Sequence, residues 1–233
     1  VGQVASSIVH DFKNALFVVS GHAQMIQSMT QDEKLQHHAT QILAAVDRLT
    51  QLSGDVVDYS KVREPKREEV DLHDYLGEMV DSLKSRALEV GASIRCEGPA
   101  CKANLDRYRF ARVLENLLAN SLDALVERQD GVVQVRWTSA KGELRITVQD
   151  NGKGIPHKIQ KRIFEPFFSH GKAKGTGLGM ATVKKIVEEH GGSLEVVSEE
   201  GEGTCVTLWI PDEARPTAEE DTTDRLRTLG HEA

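Results

Sequence analysis

The sequence predicts two domains of different class. An all-α helical hairpin pairs with a second copy as a dimeric four-helix bundle, and an α+β two-layer sandwich follows it. Three observations carry this. Residues 1–62 hold no proline and three glycines. Apolar residues there recur in steps of three and four, then every seven. Beyond residue 70, short alternating apolar runs ended by glycine or charged turns are interleaved with helical stretches.

In chain order, Val1, Ala5, Ile8, Phe12, Ala15, Val19, Ala23 and Ile26 mark one helix face. "SMTQDEK" breaks the pattern. Leu35, Ile42, Leu49 and Val56 then recur every seven residues, with Ala39 and Val46 in the matching second position, a coiled-coil spacing. Two antiparallel helices joined by a short turn result. Two helices bury too little alone, so a homodimer completes the bundle.

"VREPKREEV" is charged and holds the first proline, which makes residues 63–70 a linker between a hairpin over 1–62 and a second domain over 71–211. In that domain "DLHDYLGEMVDSLKSRALE" reads as helix, "SIRCE" and "CKANLD" as strands, and Arg107 to Arg128 as a long helix. "VVQVRWTS" and "ELRITVQD" flank a Lys-Gly turn, a hairpin signal. Pro156 opens a short helix, and Gly177 to His190 forms another that Gly191-Gly192 stops. "SLEVVSE" and "TCVTLWI" close one mixed sheet, with helices on one face. Residues 212–233 are acidic and Thr-rich, the composition of a flexible tail.

The chain has 233 residues, 39% apolar and 28% charged, which permits a globular core. A net charge of -7 argues against a general nucleic-acid binder. No run of about 18 apolar residues spans a membrane, so membrane attachment would need an N-terminal region that the sequence lacks. With no signal peptide and a Val1 start, the chain reads as a cytoplasmic fragment of something longer. Cys96, Cys101 and Cys205 lack metal-ligand spacing and fit a reducing compartment. Cys96 and Cys101 could face each other across a hairpin; two free thiols is the simpler reading.

Four stretches of the second domain carry chemistry. On the long helix, Asn116 and Asn120 lie four apart and share a face. Neutral amide oxygens suit a Mg²⁺ shared with phosphates and waters, although a solvated helix face needs no ligand at all. "DNGKGIP" starts at Asp150 where a strand ends, and Gly152 and Gly154 let backbone approach a ligand or make a plain turn. "FEPFF" follows. "GTGLGM" then places Gly175, Gly177 and Gly179 at a helix N-terminus, a ready anion site, with Lys172 and Lys174 beside it. The spacing is neither a dinucleotide fingerprint nor a P-loop.

The order of these stretches resembles the N, first-glycine, F and second-glycine boxes of the histidine-kinase catalytic domain, a GHKL (Bergerat-type) ATP-binding fold. "SIVHDFKNAL" resembles the phosphoacceptor box of that family's dimerisation and histidine-phosphotransfer domain. The HDFxN form and "NSLDA" are most similar to the nitrogen-regulator-type kinases. The resemblance covers residues 1 to about 211. It implies ATP and Mg²⁺ as cofactors, with Asp150 on the adenine amine and Gly152 and Gly154 shaping that pocket. It implies Asn120 on the metal, and Asn116 supporting the metal or γ-phosphate. Lys172 and Lys174 would contact phosphates, and Gly175, Thr176, Gly177, Leu178 and Gly179 would form the hinge and its N–H groups. Phe164, Phe167 and Phe168 would anchor the start of the lid. The family often carries Lys or Tyr three or four residues after the metal Asn; Asp123 and Ala124 stand there instead.

In the hairpin, His10 lies about 200° from Ile8 and from Phe12, opposite the apolar stripe. Asn14 lies about 40° round from it, and Phe17 within about 20°. The resemblance makes His10 the nucleophile toward ATP, Asp11 its hydrogen-bond partner, and an aspartate of a response-regulator receiver domain the next phosphoryl acceptor. It implies that Asn14 orients water for phospho-regulator dephosphorylation. An exposed Phe17 is a docking residue or is covered by the second domain. Other classes remain: a GHKL-type ATPase or serine kinase would need Glu where Asn116 stands, and Glu115 lies about 100° away. A non-catalytic dimeric scaffold would have lost motif residues, and the main ones are all present.

Overall fold

The computed structural model describes residues 2–60, 64–126, 128–170 and 175–212, with the side chains of the first helix described from Phe12 onward. The elements in order are α1 (Gly2–Met29), α2 (Glu33–Ser60), β1 (Glu68–Asp71), α3 (Leu72–Ser82), α4 (Lys84–Glu89), β2 (Ala92–Glu97), β3 (Lys102–Leu105) and α5 (Arg107–Ala124). There follow β4 (Gly131–Ala140), β5 (Glu143–Asp150), α6 (His157–Gln160), α7 (Gly179–Glu189), β6 (Ser193–Glu199) and β7 (Gly203–Pro211). The chain divides into two compact units, Val1–Glu64 with Lys158–Lys185, and Pro65–His157 with Ile186–Ala233. Among the described residues, no helix is long and apolar enough to cross a membrane.

In the first unit, α1 and α2 form the predicted hairpin. Asp32 starts α2 as its N-cap, its carboxylate accepting the N–H groups of Lys34 at 2.8 Å and Leu35 at 3.3 Å. The helices meet along Leu16 and Ala23 on one side and Ala39, Val46 and Ser53 on the other, all buried and all seven residues apart within each helix. The expected single stripe therefore divides. Ala23 is buried, Ala15 is exposed, and Phe12, Val19 and Ile26 stay 45% exposed. Leu35, Ile42 and Leu49 form a matching half-exposed line on α2. Val1, Ala5 and Ile8 of that stripe lie outside the described side chains.

In the second unit, a five-stranded sheet of order β2-β4-β5-β7-β6 is antiparallel except for the parallel β2–β4 pair. The Lys-Gly turn joins β4 to β5, with Lys141 at φ 55° and Gly142 at φ 74°, the left-handed pair that a two-residue hairpin demands. One face of the sheet is apolar: Val133, Val135, Trp137, Leu144, Ile146 and Val148 are buried, while Arg136, Thr138, Arg145 and Gln149 between them are exposed. Helices α3 and α5 pack on the sheet. Helix α5 buries Phe110, Val113, Leu114, Leu117, Leu118 and Leu122. At about 1.5–3 kcal/mol for each fully buried large apolar side chain, this face is the main source of stability.

Three expectations change. The helix expected over 71–89 breaks at Leu83, whose N–H turns back to Val80 O at 3.1 Å and ends the regular ladder. The long helix stops at Ala124 rather than Arg128, because Ala124 O is taken by Lys153 N–H at 3.1 Å and Leu125 N–H goes to Leu122 O. Strand β1 lies within the charged stretch read as linker and pairs with β3 in a separate two-stranded sheet, so the strands form two sheets instead of one. Cys96 and Cys101 are free thiols, the simpler of the two readings, and β2 and β3 do not pair with each other.

Candidate functional site

Strand β5 ends on Asp150, and the second unit builds its polar centre around that carboxylate. Asp150 is 7% exposed. Its Oδ1 accepts Gly152 N–H and its Oδ2 accepts the Ser121 hydroxyl, each at 3.0 Å. Burial pushes its carboxyl above the ordinary carboxylate range, and hydrogen bonds from Gly152, Ser121 and Thr204 pull it back. A desolvated carboxylate fixed by donors on one side suits a ligand that brings another N–H.

The glycines of "DNGKG" are steric necessities. A Cβ on Gly152 would meet Ala124 Cβ at 2.7 Å and Asp150 Oδ1 at 2.9 Å. Gly154 has φ +66°, and a Cβ there would strike Glu199 O. The loop is held by Ile155 N–H on Ser198 Oγ at 2.8 Å and by Gly201 N–H on Lys153 O at 2.8 Å. Asn151 ties it to β4, accepting Val132 N–H at 2.7 Å and donating to Asp130 O at 3.0 Å.

Asn116 and Asn120 are both half-buried on α5. Asn116 donates its amide to Arg112 O at 2.7 Å. Asp123 is not simply solvated: it pairs with Arg86 of α4 at 2.5 Å. Ala124 lies against Gly152.

The remaining glycine cluster belongs to the first unit. Helix α7 starts at Gly179, two residues later than expected, so Gly175, Thr176, Gly177 and Leu178 precede it as loop. Gly177 has φ +70°, and a Cβ there would lie 2.7 Å from Phe167 Cα. Phe167 itself has φ 66°, and its ring is 64% exposed. Its backbone rather than its ring therefore meets the glycine loop. Phe168 and Phe164 are half-buried beneath cations, Arg162 at 4.3 Å and Lys184 at 5.9 Å from the ring centroids. Leu178 is buried. The Thr176 hydroxyl donates to Asp55 Oδ2 at 3.1 Å and accepts Leu178 N–H at 3.4 Å. Lys172 and Lys174 lie outside the described residues.

In α1, His10 and Asp11 fall within the helix, and their side chains lie outside the described ones. Asn14 is exposed, and Phe17 is 81% exposed, as its helical phase predicts.

The residues present fit an adenine nucleotide: a buried acceptor, glycines packed so closely that a Cβ would collide, and asparagine oxygens on the adjacent helix. No cluster of three His, Cys, Asp or Glu able to hold a metal occurs among the described residues. A neutral amide oxygen such as that of Asn120 is a donor type that Mg²⁺ accepts alongside phosphate and water oxygens. Sequence reasoning missed three contributors. Ser121 follows Asn120 on the helix and carries no local signal, because its partner lies on strand β5. Asn151 and Gly203 carry none either: Asn151 ties the loop to β4, and Gly203, at φ +130°, leaves no room for a Cβ against Asp150 O.

The model of the histidine kinase-, DNA gyrase B- and HSP90-like ATPases matches residues 105–214, and that of the His Kinase A (phospho-acceptor) domain matches residues 1–65. The sensor histidine kinase ZraS of Escherichia coli (strain K12) is 32% identical over 216 residues, covering 91% of this chain and 45% of that protein. The signal transduction histidine-protein kinase AtoS of the same strain is 28% identical, covering 91% of this chain and 35% of its own length. The chain thus spans less than half the length of these relatives. Among solved structures, full-length ShkA in complex with AMPPNP superposes with a TM-score of 0.77 at 24% identity, over 93% of this chain and 47% of that one. The catalytic domain of histidine kinase ThkA matches with a TM-score of 0.56 at 26% identity, over 63% of this chain and 96% of that one.

Proposed function

Since the chain belongs to the sensor histidine kinases, we propose that it is the catalytic core of one: a homodimer that phosphorylates its own His10 from ATP and passes the phosphoryl group to a receiver-domain aspartate. The observation that carries this reading is the buried Asp150 carboxylate, held by Ser121 and Gly152 where β5 meets the glycine turn. An adenine amine donates to that carboxylate. Discrimination follows, because a base presenting a carbonyl at that edge would set acceptor against acceptor.

The neutral imidazole of His10 attacks with its unprotonated nitrogen. An N–P bond forms to the γ-phosphorus, the bond to the ADP oxygen breaks, and the electron pair leaves with ADP. The other ring nitrogen keeps its proton and donates a hydrogen bond through it to the neighbouring Asp11 carboxylate, which stabilises the developing imidazolium. Asn120 would hold a Mg²⁺ through its neutral side-chain oxygen, with Asn116 supporting the metal or the γ-phosphate, and a bound Mg²⁺ would supply charge neutralisation there. Lys172, Lys174 and the N–H groups from Gly175 to Gly179 bind the phosphates in this reading. Asn14, one turn after His10, orients water for the reverse duty of dephosphorylating the regulator. The half-exposed heptad lines of α1 and α2 support a second copy completing the bundle. A cytoplasmic placement follows from the use of ATP, and any membrane anchor would belong to sequence outside this chain.

Incubation with γ-labelled ATP and Mg²⁺ tests the reading. An acid-labile, alkali-stable label is expected on the wild type and absent from His10→Gln. Persistence of that label in His10→Gln would remove His10 from the role.

A further inference from the structure

Within the first unit, the last turns of α2 hold the glycine-rich loop and the start of α7 through two contacts. Asp55 accepts the Thr176 hydroxyl at 3.1 Å across 121 residues of sequence. Four residues on, and so on the same face of α2, Tyr59 receives Lys185 twice: its carbonyl accepts the ammonium, and its ring centroid lies 5.1 Å from Nζ. The last turn of α2 carries no basic residue of its own. Lys185 therefore supplies from α7 the positive charge that a helix C-terminus favours. Leu52, Asp55, Val56 and Tyr59 are all half-buried, so this face is covered although it points away from the Ala39–Val46–Ser53 line that packs on α1.

We propose that this end of α2 is a docking surface for the chain's own glycine-rich loop, and that Asp55 occupies the place a nucleotide phosphate would take on Thr176. The inference rests on the nucleotide-binding reading of that loop. The chemistry is one of competition. The Thr176 hydroxyl is a single donor, and both a carboxylate oxygen and a phosphate oxygen want it. Two anions at one donor repel, so a docked loop and a loaded loop exclude each other. Docking thus lowers nucleotide affinity by the free energy of the α2 contacts, and anything that moves the end of α2 changes that affinity.

The test is titration of the dimeric chain with a non-hydrolysable ATP analogue and Mg²⁺, alongside amide hydrogen exchange of residues 175–178 without nucleotide. Asp55→Ala and Lys185→Met are expected to tighten binding roughly 3- to 10-fold and to speed exchange. Asp55→Asn keeps an acceptor without the charge and should fall between. Equal or weaker nucleotide binding in Asp55→Ala overturns the competition, and unchanged exchange overturns the docking. A wild-type chain that binds no nucleotide sinks the kinase reading instead, while the exchange experiment still decides whether Asp55 holds the loop.

Discussion

Ser121 donates its hydroxyl to Asp150 across 29 residues of sequence, joining the asparagine helix to the glycine turn at a single buried carboxylate. The two partners contribute oppositely to stability. Burial raises the folded-state pKa of Asp150, so its ionised form costs the fold free energy at neutral pH. That cost is absent below the unfolded carboxyl pKa and is complete once pH has risen through the folded one. Asp150→Asn should therefore leave Tm at pH 7.5 unchanged or higher, while nucleotide affinity drops at least about 10-fold. Ser121→Ala removes a donor from a buried charge and should cost about 1–3 kcal/mol. Paired thermal melts and nucleotide titrations separate the two; a clear loss of Tm in Asp150→Asn refutes the desolvation argument.

A second pH effect comes from His190. It is fully buried, edge-on to Phe110 at 5.6 Å, with Nε2 accepting Asp106 N–H at 3.2 Å. Burial depresses its pKa, and Arg67 and Arg109 depress it further. The unfolded chain then binds a proton that the folded chain refuses. Stability is fully present above the unfolded His pKa of about 6.5 and is lost as pH falls through it toward the folded pKa, by up to about 1.4 kcal/mol per pH unit. Urea melts of wild type and His190→Gln between pH 5 and 8 should show this slope in the wild type and a flatter one in the variant. Parallel slopes would place the acid sensitivity elsewhere.

These two residues also mark where sequence reading ran out. Asp150, Gly152 and Gly154 were legible because a strand-end acid followed by alternating glycines is a local pattern. Ser121 was not, since its role is set by a partner on another element. The sequence extends the helix from Arg107 to Arg128 because nothing in its own propensity ends it; a hydrogen bond from Lys153, far along the chain, does. The hairpin's period of seven was legible, but two adjacent lines share that period. Only packing decides that Leu16 and Ala23 face α2 while Phe12, Val19 and Ile26 are left for another surface.

That remaining surface yields a prediction about assembly. In the proposed four-helix bundle, Ile42 would sit between Leu35 and Leu49 on the line that a second copy covers, and it is 40% exposed in the single chain. A charge there would be buried twice per dimer. Ile42→Asp should weaken dimerisation at least about 100-fold, since covering the exposed 40% of two isoleucines contributes about 1–2 kcal/mol and burying two unpaired carboxylates costs several kcal/mol more, about 2 or above for each. Light scattering after size exclusion reads this directly. A variant that remains dimeric at micromolar concentration would move the interface off this line.

The last prediction separates the two activities assigned to one exposed stripe of α1. Asn14 follows His10 by one turn and is exposed, so its amide can hold a water near the phosphoryl group of a docked regulator without touching the imidazole's own chemistry. Positioned proton transfer and water orientation contribute about 10²- to 10⁴-fold in enzymes, and loss of one orienting amide should take a good part of that. Asn14→Ala is therefore expected to label at His10 at the wild-type rate, yet to dephosphorylate its phospho-regulator at least about 10-fold more slowly. Measuring both rates on the same preparation matters, because a variant that merely bends the helix would slow both. Equal dephosphorylation by wild type and variant would remove Asn14 from the reaction and leave the water to be oriented by another group.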